Sequence, residues 1–218
     1  MHGYLSSGKS FAYQTNFFSR EFEVFAPDLK GFGENLDMKT PYSLDDYVSE
    51  VGEYIYKNGL KSPNIVAHSF GGRIAIKGIA TNKIKANKLV LTGSAGLKPK
   101  TTIKKLYKKI CFNLLKNFIS KERLKNFYSK DYLSLNDIMK QSFVQIVNEH
   151  LDGYLSNVCV PTLIINGSLD KETPLYMAKK LNKNIKNSTL IVFKGCGHFC
   201  FVDKPNKFNM EVKEFLLS

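Results

Sequence analysis

The strongest constraint in this chain is a rhythm. Short apolar runs rich in β-branched and aromatic residues alternate with segments of helical period. Residues 22–27, 64–67, 88–92, 161–166 and 188–193 read as strands. Between them, Leu44, Tyr47, Val48, Val51, Tyr54 and Ile55 recur at helical spacing behind a Ser43–Asp46 capping box, and Asn58-Gly59 stops that helix. Residues 73–80 and 175–181, and those from about 206 onward, read as further helices. Two parallel strands cannot be joined by a tight turn and need a crossover, most often a helix. The expected fold class is therefore α/β: a mostly parallel sheet flanked by helices.

The rhythm breaks once. Between Gly96 and Cys159 no strand-like run occurs, while Ile103, Leu106, Tyr107, Ile110, Leu114 and Phe118 share one helical face with lysines opposite. Residues 98–158 are expected to form a helical cap set into a core made of residues 1–97 and 159–218. Eleven basic residues and one acid, Glu122, lie between Lys98 and Lys130, a net +10 within a chain of +13. Only Arg20, Arg73 and Arg123 are arginines, so the excess is a lysine bias, and its simplest reading is a solvated polar face. Attraction of an anionic substrate, or weak association of the basic cap with an anionic surface, are the alternatives. With 218 residues, 43% of them apolar, the chain has ample material for a core. No zinc spacing, RNP-like motif or P-loop accompanies the basic stretch, so no nucleic-acid partner is expected. No apolar run is long enough for a membrane span, and the first residues do not read as a signal peptide. Four irregularly spaced cysteines then suggest reduced thiols and a cytoplasmic location.

Chemistry concentrates at strand ends. In Asn64-Ile-Val-Ala-His-Ser-Phe-Gly-Gly-Arg73 a strand runs into Ser69 and a helix starts at once. A hydroxyl on so tight a turn projects above the sheet edge, and its neighbours, here Ala67 and Gly71, must be small. The Phe70 amide, at the helix N-terminus, points toward any oxygen held there. A serine hydroxyl needs a base, and the base an orienting acid. Asp170 and His198 each follow one of the last two strands. Loops after parallel strands gather on one rim, so Ser69, Asp170 and His198 are expected together. Cys196-Gly-His198-Phe-Cys200 is too tightly spaced for a usual zinc pair, His68 is read as a packing residue, and Asp28 and Asp203 as turn residues.

These segments resemble the α/β-hydrolase superfamily over essentially the whole chain. His2-Gly3-Tyr4 resembles its oxyanion loop, residues 26–33 its P-D-x-x-G-x-G turn, residues 68–72 its nucleophile elbow, residues 161–170 its acid-bearing strand, and Gly195–His198 with Asp203-Lys-Pro205 its histidine loop. The resemblance implies Ser69 as nucleophile, Asp170 and His198 as the rest of a catalytic triad, the Tyr4 and Phe70 amides as oxyanion hole, and no metal or organic cofactor. A serine rather than an aspartate at the elbow argues against the dehalogenase and epoxide-hydrolase branches. Arg73, at an offset shared with some enzymes of menaquinone synthesis, is a candidate substrate-binding residue. The resemblance also implies strands before the HG loop, hence a native start upstream of Met1. The activity it implies is hydrolysis of carboxylic esters or related acyl compounds. A triad-dependent lyase or C–C hydrolase on an acidic substrate is the second reading, and an inactive truncated hydrolase the third. Phe112, Phe118 and Phe127 are expected to shape an acyl pocket.

Overall fold

A computed structural model describes residues 1–100 and 130–218. Its centre is a four-stranded, all-parallel sheet in the order β1 (Ile65–His68), β2 (Leu89–Thr92), β3 (Thr162–Gly167) and β4 (Ser188–Phe193). The register places Ala67, Leu91, Ile164 and Leu190 in one row. Successive side chains of a strand point to opposite faces, and the core divides accordingly. Ile65, Ala67, Leu89, Leu91 and Ile164 pack on one face with α2 (Leu44–Lys57), α3 (Phe70–Ala80) and α6 (Leu175–Asn184). Val90, Leu163 and Ile165 face the other way, with Phe11, Phe18, Phe201, Phe208 and Val212. Those partners come from α1 (Ala12–Phe18), the 3-10 turn before it, the short α7 (Cys200–Asp203), and α8 (Pro205–Leu217).

The predicted α/β architecture is the one observed, with element ends shifted by a residue or a few. One local expectation fails, and one helix forms where none is expected. Residues 22–27 form no strand. A strand requires a ladder partner, and a cavity of about 390 Å³, lined by Phe22, Val24, Phe25, Ile65 and Val66 among others, separates this segment from the β1 edge. Among the described residues Met1 alone bonds to that edge, donating to the Val66 carbonyl at 2.6 Å and accepting from the His68 amide at 3.0 Å. In the other direction, α1 was not foreseen, although Phe11, Gln14 and Phe18, its buried side chains with the preceding turn, lie three and four residues apart.

The chain between β2 and β3 leaves and rejoins the sheet's surroundings at one point. The Leu151 amide donates to the Gly96 carbonyl at 2.9 Å and the Lys98 amide to Asp152 Oδ2 at 2.9 Å. Its described part holds α4 (Lys130–Ser134), α5 (Asp137–Asn148) and a 3-10 turn over Asp152–Asn157. The helical face from Ile103 to Phe118, Phe112 and Phe127 fall outside the described residues. Among the described residues no helix is long and apolar enough to cross a membrane.

Helix α3 is enclosed along its whole length, since every residue from Phe70 to Ala80 is buried. Ile74→Ala should therefore destabilise the protein by about 2–5 kcal/mol through lost contacts and a cavity. Tyr56→Ala, at a position 85% exposed on α2, should change stability by less than about 0.5 kcal/mol. Urea unfolding followed by circular dichroism measures both.

Candidate active site

Ser69 stands between the last residue of β1 and the first of α3, with φ 49° and ψ −107°. A non-glycine residue there is strained by about 1–3 kcal/mol and persists only where its surroundings fix it. They do: the Ser69 amide donates to the Thr92 carbonyl at 3.1 Å, and the Ser69 carbonyl accepts from Gly72 at 3.0 Å and Ala95 at 3.1 Å. Gly71 allows the approach of the first residues, because a Cβ there would lie 2.6 Å from the Met1 carbonyl oxygen. The Gly71 amide donates to the His2 carbonyl at 3.1 Å. The amides of Phe70 and Tyr4 meet no protein acceptor among the described residues.

His2 fixes the loop that carries Tyr4. Its Nε2 accepts from the Leu29 amide at 3.0 Å while Nδ1 donates to the Gly3 carbonyl at 2.7 Å. That pattern requires a neutral ring, and burial lowers the His2 pKa to match. Asp28 occupies the turn expected of it, accepting from the Gly8 amide at 2.6 Å and the Glu34 amide at 2.7 Å. The Tyr4 ring packs edge-on against Phe32, Phe70 and Phe143, and its hydroxyl donates to the Met139 carbonyl at 3.2 Å. The loop that carries Tyr4, the turn at Ser69 and α5 thus share one aromatic cluster.

Asp170 and His198 meet as the sequence predicts. His198 Nδ1 lies 2.8 Å from Asp170 Oδ2. Asp170 also accepts from the Thr173 hydroxyl at 2.7 Å and from the Glu172 and Thr173 amides at 2.9 Å. Burial opposes a charge on Asp170, but the hydrogen bonds from His198 and Thr173 outweigh it and hold the carboxyl below its ordinary pKa. A carboxylate on Nδ1 puts the Nδ1 proton there and leaves Nε2 to exchange protons with other groups. Gly93, at the end of β2, gives His198 room, since a Cβ there would lie 3.0 Å from Nδ1. Asp203 holds the histidine loop by accepting from the Gly197 amide at 2.8 Å. Among the described residues the Ser69 hydroxyl makes no hydrogen bond to another side chain; it and His198 are joined through their common neighbours, Thr92-Gly93 and His68.

His68 is buried beside this site. Its Nε2 lies 3.2 Å from the His198 carbonyl oxygen, and its ring packs against His198, Phe199 and Phe201 with centroids 4.7–5.0 Å apart. Cys200 Sγ, two residues beyond His198, lies 3.2 Å from Thr92 Oγ1. Arg73 reaches the C-terminal end of α5: Nη1 donates to the Ile146 and Glu149 carbonyls, both at 2.8 Å. A cation at the C-terminal end of α5 complements the helix dipole. Lys77, one turn further on, pairs with Asp45 at 2.8 Å and Glu149 at 2.5 Å. Thr173 and Glu172 went unnoticed in the sequence. The turn that makes Thr173 useful, an Asp receiving amides two and three residues on, was visible in Asp170-Lys-Glu-Thr173.

Comparison with known proteins agrees with this fold. Residues 1–211 match the sequence profile described as the alpha/beta hydrolase family. An AB hydrolase superfamily protein of Bacillus subtilis is 28% identical over 99% of this chain and 89% of its own length. A 2-hydroxymuconate semialdehyde hydrolase of Pseudomonas putida is 26% identical over 88% of this chain and 76% of its own. The solved structure of an esterase from Exiguobacterium antarcticum superposes with a TM-score of 0.78 at 26% identity, covering 100% of this chain and 90% of that one.

His68 makes stability pH-dependent. Burial, then the neighbouring His198, lower its pKa from 6.5 to about 3. Between those values the unfolded chain binds more protons than the folded one, so stability falls as pH drops below 6.5. The His68 contribution at pH 5 is a loss of about 2 kcal/mol relative to neutral pH. A His68→Phe variant should show a flatter unfolding free energy across pH 5–7, measured by urea titration at each pH.

Proposed function

Because this chain belongs to the alpha/beta hydrolase family, we propose that it is a serine hydrolase of carboxylic esters or related acyl compounds, working through an acyl-enzyme. One observation carries the reading: the Asp170–His198 hydrogen bond of 2.8 Å on the rim where Ser69 is held in its strained turn. Ser69 Oγ attacks the acyl carbon as His198 Nε2 takes its proton. Asp170 keeps the ring oriented and stabilises the imidazolium. The carbonyl oxygen, now negative, lies against the Phe70 and Tyr4 amides. Return of the proton from His198 to the leaving alcohol breaks the ester bond. Water, deprotonated by the same nitrogen, then attacks the acyl-enzyme, releases the acid and restores Ser69. Tyr4, Phe143 and Tyr132, half-buried side chains from the oxyanion loop and the insertion, supply an aromatic wall for the acyl group. The helical insertion, residues 98–158, is read as the cap over this wall, and Arg73, tied to its backbone, anchors it.

The relative named for 2-hydroxymuconate semialdehyde hydrolysis keeps a second reading in view, C–C bond hydrolysis on an acidic substrate. Arg73, the residue that would have met such an acid, has its Nη1 donating to the insertion's carbonyls, which favours the ester reading.

With p-nitrophenyl butyrate, Ser69→Ala and His198→Gln should each lower kcat by about a thousandfold or more. Turnover by the Ser69→Ala variant at the parent rate would overturn the assignment.

A further inference from the structure

Glu172 brings a second carboxylate to His198. Its Oε2 stands 3.3 Å from Nε2, the nitrogen opposite the one bonded to Asp170. The two acids differ in surroundings. Asp170 has a fully buried side chain, while that of Glu172 is 66% exposed, so Glu172 faces solvent at the mouth of the site. Its backbone is fixed, since the Glu172 amide donates to Asp170 Oδ1 at 2.9 Å. Lys171 forms no ion pair with either carboxylate among the described residues. His68, the other titratable group packed on the ring, is buried and neutral. The rim of this site therefore carries an acidic mouth on a chain whose net charge is +13.

Resting on the serine-hydrolase reading, we propose that Glu172 is a specificity-determining residue that makes the site prefer neutral or cationic leaving groups over anionic ones. In that mechanism Nε2 hands its proton to the departing oxygen, so a charge 3.3 Å from Nε2 lies beside the leaving group. Two like charges about 5 Å apart in a half-solvated cleft repel enough to change a rate by roughly threefold to tenfold, and the effect is screened by salt. The long-range field of the lysines gathers anions near the protein, while Glu172 rejects them at the point of reaction. Such a site suits esters of uncharged or amine-bearing alcohols and disfavours a carboxylate on the departing side.

Butyrate esters of 4-hydroxybenzoate, 4-hydroxybenzamide and 4-hydroxybenzylamine test this, since they are alike in size and differ in charge. The parent protein should show higher kcat/KM for the amide and amine esters than for the carboxylate ester. Comparing each variant with the parent cancels intrinsic differences between the three leaving groups. Glu172→Gln should narrow the amide-to-carboxylate ratio by roughly threefold to tenfold, Glu172→Lys should narrow it further, and 0.5 M sodium chloride should shrink the parent's discrimination but not that of Glu172→Gln. Glu53→Gln, at an exposed acid on α2, should leave the ratio within about twofold. Turnover with a ratio unchanged in both Glu172 variants would overturn this assignment alone. Absence of turnover of all three esters by the parent would overturn the hydrolase reading and this assignment with it.

Discussion

Four strands hydrogen-bonded in one direction must all end on the same side. That constraint, more than any single residue, makes a site out of this chain. β1 delivers Ser69, β2 delivers Gly93, β3 is followed by Asp170 and β4 by His198. The register then decides how these ends meet. His68 opposite Thr92 lets the Ser69 amide bond to the Thr92 carbonyl, which sets the turn. A slip of one residue in the β2–β3 or β3–β4 ladder would reverse the faces of the strand and carry Asp170 or His198 off the rim.

Hydrogen bonds, more than charge, hold Asp170 and His198 together. Asp170 receives the Thr173 hydroxyl and two backbone amides besides the imidazole. A buried carboxylate so bonded remains an acceptor, and a ring with Nδ1 fixed can work only through Nε2. Around this pair the chain places rings and small residues: His68, Phe199 and Phe201 on one side and Gly93 on another. The insertion is fastened to the same framework by Arg73 and Lys77, both on the buried helix that begins at the elbow. A change at Ser69 and a change in the insertion's anchorage thus act through one helix.

Much of this was legible in the sequence because strand ends carry short, local signatures. Four of the five β-rich runs, the Ser43–Asp46 cap and the tight turn around Ser69 depend on neighbours within a few residues, and these are found where the pattern places them. What was not legible depends on distant partners. Residues 22–27 have the composition of a strand, but pairing needs a ladder on the far side of the cavity. Arg73 looked free to meet a substrate, and only the folded chain shows the two carbonyls of the insertion that engage it. Glu172 carries no periodic or motif signal, being one exposed acid in a turn. Its meaning comes from a distance of 3.3 Å to a residue in another loop.

In the proposed mechanism Ser69 Oγ is the atom that attacks, activated by the histidine that Asp170 orients. The most direct measurement is the site of covalent modification by a fluorophosphonate, mapped by peptide mass spectrometry on folded protein. One adduct on Ser69, its formation abolished in a His198→Gln chain that still folds, is the predicted result. A folded parent chain left unmodified, or modified at another residue with Ser69 untouched, would contradict it.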